Sequence, residues 1–264
     1  MGCEGYGALA HVYDTLNAQI DYNAWADFVI RCFARFLPNS PSLLLDLACG
    51  TGSMTLALAD KGFDMIGVDG SADMLSQAFA RSAGRHVLWL QQDMRAFELY
   101  GTVGAVTCCL DSVNYLLSNE DLAACFACVH NYLDPNGIFL FDMNSPHKFE
   151  AVYGNNAYVL EDELVYGEGE EDEERALCYC GWQNTYHPDT RVCEFDLSIF
   201  EEQPDGSYRR FDEHQEERCY TLDEVRTTLE QVGFELLGVW SDYDFSPITP
   251  TTERWYFAAR AIKP

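Results

Sequence analysis

An alternation of strand-like and helical segments is the feature that most restricts how this 264-residue chain can fold. Leu43–Leu47 is a run that is apolar apart from Asp46 and typical of a buried strand, and residues 53–60 follow it with a helical pattern. The same order recurs as far as residue 142, and a last helix and two strands occupy residues 221–261. Strands that alternate with helices predict an α/β fold with a doubly wound, mostly parallel sheet covered on both faces.

Two segments depart from this alternation. Residues 8–37 space their apolar residues three and four apart, as two helices do, with Asp21 as the N-cap of the second and Pro38 after its end. Residues 146–219 hold long β-type stretches separated by the turn sequences HPDT and QPDG. We therefore expect three parts: an N-terminal helical segment (1–40), an α/β domain (41–145 and 220–264) and an inserted antiparallel β-meander (146–219).

The loop after the first predicted strand has two glycines one position apart but does not match a phosphate-binding motif. The dinucleotide pattern G-x-G-x-x-G/A fails because its third position is Thr55, and no Lys-Ser/Thr follows the last glycine as in a P-loop. Acids flank the loop instead: Asp46 precedes it, Asp69 ends the next strand and Asp93 follows the third. Such a cleft would repel phosphate and suits a ligand with positive charge and hydroxyl groups.

Three segments in this order, LLLDLACGTG, MIGVDGSADML and LQQDMRAF, resemble those of class I S-adenosylmethionine-dependent methyltransferases. The resemblance covers roughly residues 40–143 and 220–264. It implies a seven-stranded sheet, S-adenosylmethionine as the cofactor, and N-terminal helices that fold over the cofactor as a lid. The sulfonium, the ammonium and the ribose of this cofactor fit the acidic cleft. Ala48 replaces the first glycine of the common family loop, and this change should not impair binding.

The resemblance also implies cofactor roles for individual residues. Asp46, with the backbone at Ala48 and Gly50, would meet the methionine end, Gly52 would permit close approach of the loop, and Asp69 would accept hydrogen bonds from the ribose hydroxyls. The other expected cofactor contacts are Gly70, Met74, Asp93 and Met94 around the adenine, Leu110 near the methyl group, and Tyr13 and Trp25 from the lid. For the two lid residues, packing of the helices onto the sheet is the alternative.

Methyl transfer by in-line displacement depends on alignment and on exclusion of water, and it needs a base only if the acceptor must lose a proton. The candidate acceptor-side residues are Asp111, Asn114 and Tyr115 after the fourth parallel strand, and His214 in the meander is a candidate base. Arg254 is either an anion clamp or a salt-bridge partner. The meander would cover the strand ends and contribute aromatic side chains to an acceptor pocket, or it could form a dimer interface.

The formal net charge of −27 disfavours nucleic acid as a substrate, so we expect a small-molecule acceptor. Methylation of a protein or an RNA, and a sensor that binds the cofactor without catalysis, remain the alternatives. The acidic segment 161–174 has no basic residue and predicts a solvated loop, with docking of a cationic partner as the alternative.

Cellular context follows from the termini, the apolar runs and the cysteines. No signal peptide and no run of about 18 apolar residues is present, which predicts a cytoplasmic protein that does not enter a membrane. The 11 cysteines lack two pairs with metal-ligand spacing, so we expect no metal site and instead reduced thiols that behave as small apolar residues. We expect a monomer or a homodimer.

Overall fold

The computed structural model describes residue 10, residues 12–166 and residues 174–263. The helices are α1 (Tyr13–Leu16), α2 (Tyr22–Phe36), α3 (Ser53–Asp60), α4 (Ala72–Arg81), α5 (Asn119–Tyr132) and α6 (Leu222–Gln231). The strands are β1 (Leu43–Leu47), β2 (Asp64–Asp69), β3 (Val87–Gln91), β4 (Val103–Cys108), β5 (Leu133–Asn144), β6 (Ala157–Tyr166), β7 (Glu174–His187), β8 (Val192–Glu202), β9 (Tyr208–Arg218), β10 (Phe234–Trp240) and β11 (Arg254–Ala261). A 3₁₀ turn spans Ser112–Tyr115 and a π-helical turn spans Lys148–Tyr153.

Seven strands form the main sheet in the order β10-β11-β5-β4-β1-β2-β3. The pairs from β5 to β3 are parallel, while β11 runs antiparallel to both β5 and β10. The strand order reverses between β1 and β4, and ligands of such sheets bind outside the carboxyl ends of the strands at this switch point. The predicted doubly wound, mostly parallel sheet is confirmed.

Helices cover both faces of this sheet because its central strands are apolar on both sides. In β1, for example, Leu44 packs in a cluster with residues of α2 and α3, whereas the adjacent Leu45 packs with residues of α5 and α6. Side chains that alternate along a strand point to opposite faces, so one continuous apolar run supplies both cores. Side-chain caps begin several of these helices: Asp21 accepts from Ala24 N–H at α2, and Thr221 with Glu224 forms a capping box at α6.

The inserted segment forms a separate four-stranded antiparallel sheet in the order β6-β7-β8-β9. Its own core contains Cys178, Cys180 and Cys193 beside aromatic and aliphatic residues, so these cysteines act as small apolar side chains, as expected. The sequence predicts three strands here and a solvated loop over residues 161–174, and that loop prediction is wrong for residues 161–166 and 174. These residues extend the β6–β7 pair, in which Tyr166 pairs with Glu174, because hydrogen bonds between the two backbones do not depend on the charge of the side chains.

The N-terminal helical segment is shorter than predicted within the described residues. Helix α1 makes a single turn that ends at Leu16, and the Asn17 side chain donates back to the Tyr13 carbonyl at 2.9 Å. Helix α1 contacts β6 of the inserted sheet, whereas α2 packs on the main sheet. No helix in the described ranges has the length and the apolar character that crossing a bilayer requires.

Candidate active site

The loop between β1 and α3 places three residues in the left-handed backbone region: Ala48, Gly50 and Gly52. A Cβ built on Gly50 would meet no atom within 4 Å, so this position faces open space that a ligand can approach. A Cβ on Gly52 would lie only 2.6 Å from a ring carbon of Trp89. Packing inside the protein and the positive φ therefore require glycine at position 52, a reason that the sequence interpretation, which gave it to the approach of the loop to a ligand, did not include.

Asp46 lies beneath this loop and is 1% exposed. Its two carboxylate oxygens accept hydrogen bonds from the Thr55 hydroxyl at 2.5 Å and the Thr107 hydroxyl at 2.7 Å. Burial raises the pKa of Asp46 to about 6, although the two hydroxyls oppose the rise. Asp46 therefore braces β1 against α3 and β4 at the base of the crevice, whose described lining also includes Gly50.

Asp69 stands at the carboxyl end of β2 and holds the same loop from the other side. It accepts hydrogen bonds from the backbone N–H of Gly50 at 2.8 Å and of Ser71 at 2.8 Å. Burial raises the pKa of Asp69, and these N–H groups oppose the rise. Each carboxylate oxygen has a second lone pair, so the carboxylate can accept further hydrogen bonds from a ligand at the switch point.

The expected adenine contacts lie around the start of α4 and the end of β3. Met74 is buried in α4, while Gly70 and Met94 are partly exposed. Asp93 forms a bidentate ion pair with Arg95, which holds the pKa of Asp93 below its ordinary value. A ligand amino group would therefore share this carboxylate with Arg95, a contact that the sequence interpretation did not include.

The lid segment touches both the loop and a larger cavity. Asp14 of α1 accepts hydrogen bonds from the hydroxyls of Thr51 at 2.7 Å and Ser53 at 3.1 Å, and Arg81 pairs with the same aspartate. These contacts fasten α1 over the glycine loop. Trp25 is buried against Tyr243 and Tyr256, with ring centroids 5.7 Å apart in each case.

A cavity of about 700 Å³ lies between the lid, the carboxyl ends of the main-sheet strands and the inserted sheet. Its size is within the range of small-molecule sites, roughly 300–1,000 Å³. Aromatic rings and charged side chains both line it. The aromatic residues are Tyr13, Trp25, Tyr115, Tyr153, Trp182, Phe195, Tyr243 and Tyr256, and the charged ones are Asp21, Asp111, Lys148, Glu217 and Arg254.

The turn after β4 brings an acid to the wall of this cavity. Leu110 and Asp111 both adopt positive φ, at 59° and 50°, a conformation that costs non-glycine residues roughly 1–3 kcal/mol each. The turn is held by the N–H of Asp111, which donates to Asp142, and by Arg254, which pairs with both aspartates. Burial favours the neutral form of Asp111, but Arg254, a hydrogen bond with Glu217 and the Lys148 charge together outweigh it and hold the pKa of Asp111 below its ordinary value.

Glu217 is a second cavity acid and was not among the residues predicted from the sequence. It lies in β9 and is 3% exposed, and the Asn144 side chain donates to both Glu217 and Asp111 at 3.0 Å. Burial first, and the charge of Asp111 second, raise the pKa of Glu217 well above its ordinary value. The sequence held one signal for this residue. Glu217 lies two positions after Gln215 in a predicted strand, so the two side chains point to the same face of that strand.

Comparisons with known proteins agree with this geometry. The family described as a methyltransferase domain matches residues 44–137. The YqeM protein of Bacillus subtilis (strain 168), which is named as a methyltransferase, is 34% identical over 98% of each chain. A solved S-adenosylmethionine-dependent methyltransferase from Clostridium acetobutylicum ATCC 824 is 31% identical, with a TM-score of 0.83 over 98% of this chain and 99% of that one. The chain belongs to the S-adenosylmethionine-dependent methyltransferases. The predicted enzyme class and cofactor are confirmed.

A more distant relative of this methyltransferase is a glycine/sarcosine N-methyltransferase of Parasynechococcus marenigrum (strain WH8102). It is 27% identical over 87% of this chain and 76% of its own length. Its name gives methylation of a small amine as its activity, which agrees with the expected small-molecule class of acceptor.

The structure brings two of the four predicted acceptor-side residues of the methyltransferase to the cavity. Asp111 and Tyr115 line it, and the Tyr115 hydroxyl donates to Gln215 at 2.6 Å. Asn114 is fully buried and instead joins β5 to β9: it accepts from Asn144 N–H and donates to the Arg218 carbonyl. Its role is to hold the turn in place, which corrects the sequence interpretation.

His214 does not reach the cavity of the methyltransferase. It lies in β9 one residue before Gln215 and therefore points to the opposite face of the strand. Its side chain is 55% exposed and pairs with Asp196, which raises the pKa of His214. The placement thus speaks against the predicted base. Within the described residues, no three His, Cys, Asp or Glu side chains are arranged to hold a metal ion.

Proposed function

We propose that this methyltransferase transfers its methyl group to the nitrogen of a small amine bound in the cavity between the two sheets. The observation that carries the proposal is the pair of acids, the partly buried Asp111 and the buried Glu217, on the wall of a cavity that eight aromatic side chains also line. Carboxylates attract an ammonium group, and aromatic faces add cation–π attraction of about 0.5–2 kcal/mol.

The charges near the cavity disfavour an anionic reacting group. Arg254 is directed at Asp111 and Asp142, so it acts as a salt-bridge partner and is not an anion clamp for the acceptor. Gln215, by contrast, has a buried side-chain nitrogen with no hydrogen-bond partner among the described residues, and it lines the same cavity. An unpaired buried donor costs about 1–3 kcal/mol, so an acceptor that carries an oxygen beside its amine would be favoured here.

The residues of the glycine loop fit the cofactor. The open side of Gly50 and the half-buried carboxylate of Asp69 supply a backbone approach and an acceptor for hydroxyl groups. Asp46 supports the loop from below. Bound S-adenosylmethionine supplies a methyl group already activated on a sulfonium. We assign the remaining contacts as expected from the sequence, to Tyr13, Trp25, Ala48, Gly52, Gly70, Met74, Asp93, Met94 and Leu110.

In this proposal the chain contributes binding and alignment. The lid, fastened by Asp14 to the glycine loop, and the inserted sheet enclose the cavity and limit the access of water. Leu110 lines both the loop crevice and the acceptor cavity, and Asp111 beside it lines the acceptor cavity. An amine held against Asp111 therefore lies next to the crevice to which we assign the methionine end of the cofactor. This proximity of the two reactants supplies much of the rate.

The test is a panel of matched acceptors with mass-spectrometric detection of the methylated product. Glycine, sarcosine, glucosamine and benzylamine are compared with glycolate, glucose and benzyl alcohol, which replace nitrogen by oxygen. A blocked peptide and an RNA oligonucleotide complete the panel. We expect methylation of at least one amine and of none of its oxygen counterparts. Methylation confined to an alcohol, the peptide or the RNA, or the absence of any methylated amine, would overturn the proposal.

The proposal extends to the cellular context. The described cysteines are free thiols and most are buried, which supports a reducing compartment, the cytoplasm. We assign a monomer or a homodimer, to be measured by light scattering of the purified chain. Larger assemblies would contradict this assignment.

A further inference from the structure

The face of β9 that borders the cavity carries two polar side chains, Gln215 and Glu217. Both are buried, whereas Glu216 between them points to the other face and is partly exposed. A buried glutamate that lines a ligand cavity is unusual because desolvation disfavours its charged form. The surroundings of Glu217 therefore indicate what it can do.

The hydrogen bonds around Glu217 leave it without a dedicated cation. The Asn144 amide donates to one oxygen of Glu217 and to Asp111, each at 3.0 Å, and so holds the two carboxylates together. Arg254 neutralises Asp111 at 2.7 Å and also pairs with Asp142. In the part of the chain that the structure describes, no lysine or arginine forms an ion pair with Glu217. The side chains of Glu217 and Asp111 are also hydrogen-bonded to each other. Glu217 is thus the cavity acid that shares a proton with a neighbouring carboxyl group and has no cation of its own.

The acceptor chemistry requires such a group. An alkyl ammonium ion has no lone pair, and most amines carry this proton at neutral pH, so the proton must leave before nitrogen can attack carbon. We infer that Glu217 is the base that takes this proton, an inference that rests on the proposed amine acceptor.

The step balances in atoms and electrons. The ammonium N–H bond breaks and its proton joins a Glu217 oxygen, which leaves the lone pair on nitrogen. Nitrogen then forms a bond to the methyl carbon while the carbon–sulfur bond breaks and its electron pair stays on sulfur. The products are the methylated ammonium ion, S-adenosylhomocysteine and protonated Glu217, which returns its proton to water when the products leave.

The groups that face Glu217 tune this exchange. Asp111 and burial favour the protonated form of Glu217, while Arg254 favours the charged form. The titratable or charged groups that face it from the neighbouring elements are Asp111, Lys148, Tyr153, Cys193 and Arg254. Because burial and Asp111 prevail, the pKa of Glu217 lies well above its ordinary value, the direction that makes a carboxylate a stronger base.

The test compares Glu217→Gln and Glu217→Asp with the wild type, using whichever of glycine, sarcosine, glucosamine and benzylamine the wild type methylates fastest. Glu216→Gln is the matched control on the opposite face of the same strand. We expect Glu217→Gln to lower kcat/KM about 100-fold or more near pH 7. Binding of S-adenosylhomocysteine should stay within about 2-fold of the wild type in all variants, which would show that the fold is intact.

The pH profile distinguishes a base from a structural residue. For the wild type, kcat/KM should reach a plateau between the pKa of Glu217 and that of the amine. In Glu217→Gln it should keep rising about tenfold per pH unit, because only amine that is already neutral reacts. Glu217→Asp, which keeps a carboxylate, should retain the plateau at a lower level.

A binding measurement that does not depend on activity completes the test. Calorimetry of the amine, with S-adenosylhomocysteine present and in two buffers of different ionisation enthalpy, should show little net proton exchange with the buffer for the wild type, because the proton passes from the ammonium ion to Glu217. Glu217→Gln has no group to take this proton and should release about one proton to the buffer when the neutral amine binds. An unchanged pH profile and unchanged proton release in Glu217→Gln would overturn the inference while leaving the amine acceptor intact. If no amine of the panel is methylated by the wild type, the proposed function falls and this inference falls with it.

Discussion

Asp142 provides the most quantitative test of the electrostatics beside the cavity. It is fully buried near the end of β5, where one oxygen accepts the N–H of Asp111 and binds Arg254. Its other oxygen, Oδ1, has no hydrogen-bond partner among the described residues. Burial raises the pKa of Asp142 to about 6 from 3.8, even though Arg254 opposes the rise. Folding therefore costs free energy whenever Asp142 is charged.

The sign and the size of this cost follow from linkage. Because the pKa is higher in the folded state, the stabilising contribution of the protonated group is fully present below about pH 3.8 and is lost as the pH rises through about 6. The full loss is about 3 kcal/mol, and about 1.4 kcal/mol of it falls between pH 5 and pH 7.5. Asp142→Asn keeps the shape and an acceptor oxygen but cannot titrate, so it removes this pH dependence.

The assay is urea unfolding of wild type and Asp142→Asn at about pH 5 and about pH 7.5, both above the sequence pI of ≈ 4.3. We expect the unfolding free energy of Asp142→Asn, minus that of the wild type, to increase by about 1.4 kcal/mol from the lower to the higher pH. Asp73→Asn, at an exposed position of α4, controls for the loss of a carboxylate. A difference that stays constant within about 0.5 kcal/mol, or that moves toward the wild type, would refute the reasoning.

Two further predictions concern the glycine loop. Asp69→Asn replaces one acceptor oxygen of the carboxylate that accepts hydrogen bonds from the Gly50 and Ser71 N–H groups. Calorimetry should therefore show about 10- to 100-fold weaker binding of S-adenosylhomocysteine. An unchanged affinity would contradict the role assigned to Asp69. Gly52→Ala brings a Cβ to 2.6 Å from Trp89 at a φ of +81°. Denaturant unfolding should show that this variant loses about 2–4 kcal/mol of unfolding free energy. Gly50→Ala, whose Cβ would lie in open space, should lose about 1 kcal/mol. Equal losses at the two glycines would show that Trp89 does not set the requirement.

The sequence predicted the parts of this methyltransferase that local patterns encode. The run Leu43–Leu47 predicted a buried strand, and the two glycines after it marked the ligand loop, in which the structure gives both a positive φ. Asp46 and Asp69 stand at the carboxyl ends of adjacent strands because parallel strands place their ends at one edge of the sheet. Fold class and cofactor followed from these features, since they depend on residues close together in the chain.

The acceptor cavity was beyond such reasoning because its walls come from distant segments. Glu217 meets Asp111 across 106 positions of the chain, and Arg254 comes from yet another strand. In β9 the choice between His214 and Glu217 depends on which face of the strand meets the cavity, and that is set by the pairing of Cys193 with Glu217 in the inserted sheet. The sequence by itself determined the sheet, the loop and the methyl donor, whereas only tertiary packing decided which acids are buried together, because burial and charge proximity arise from contacts that local periodicity does not encode.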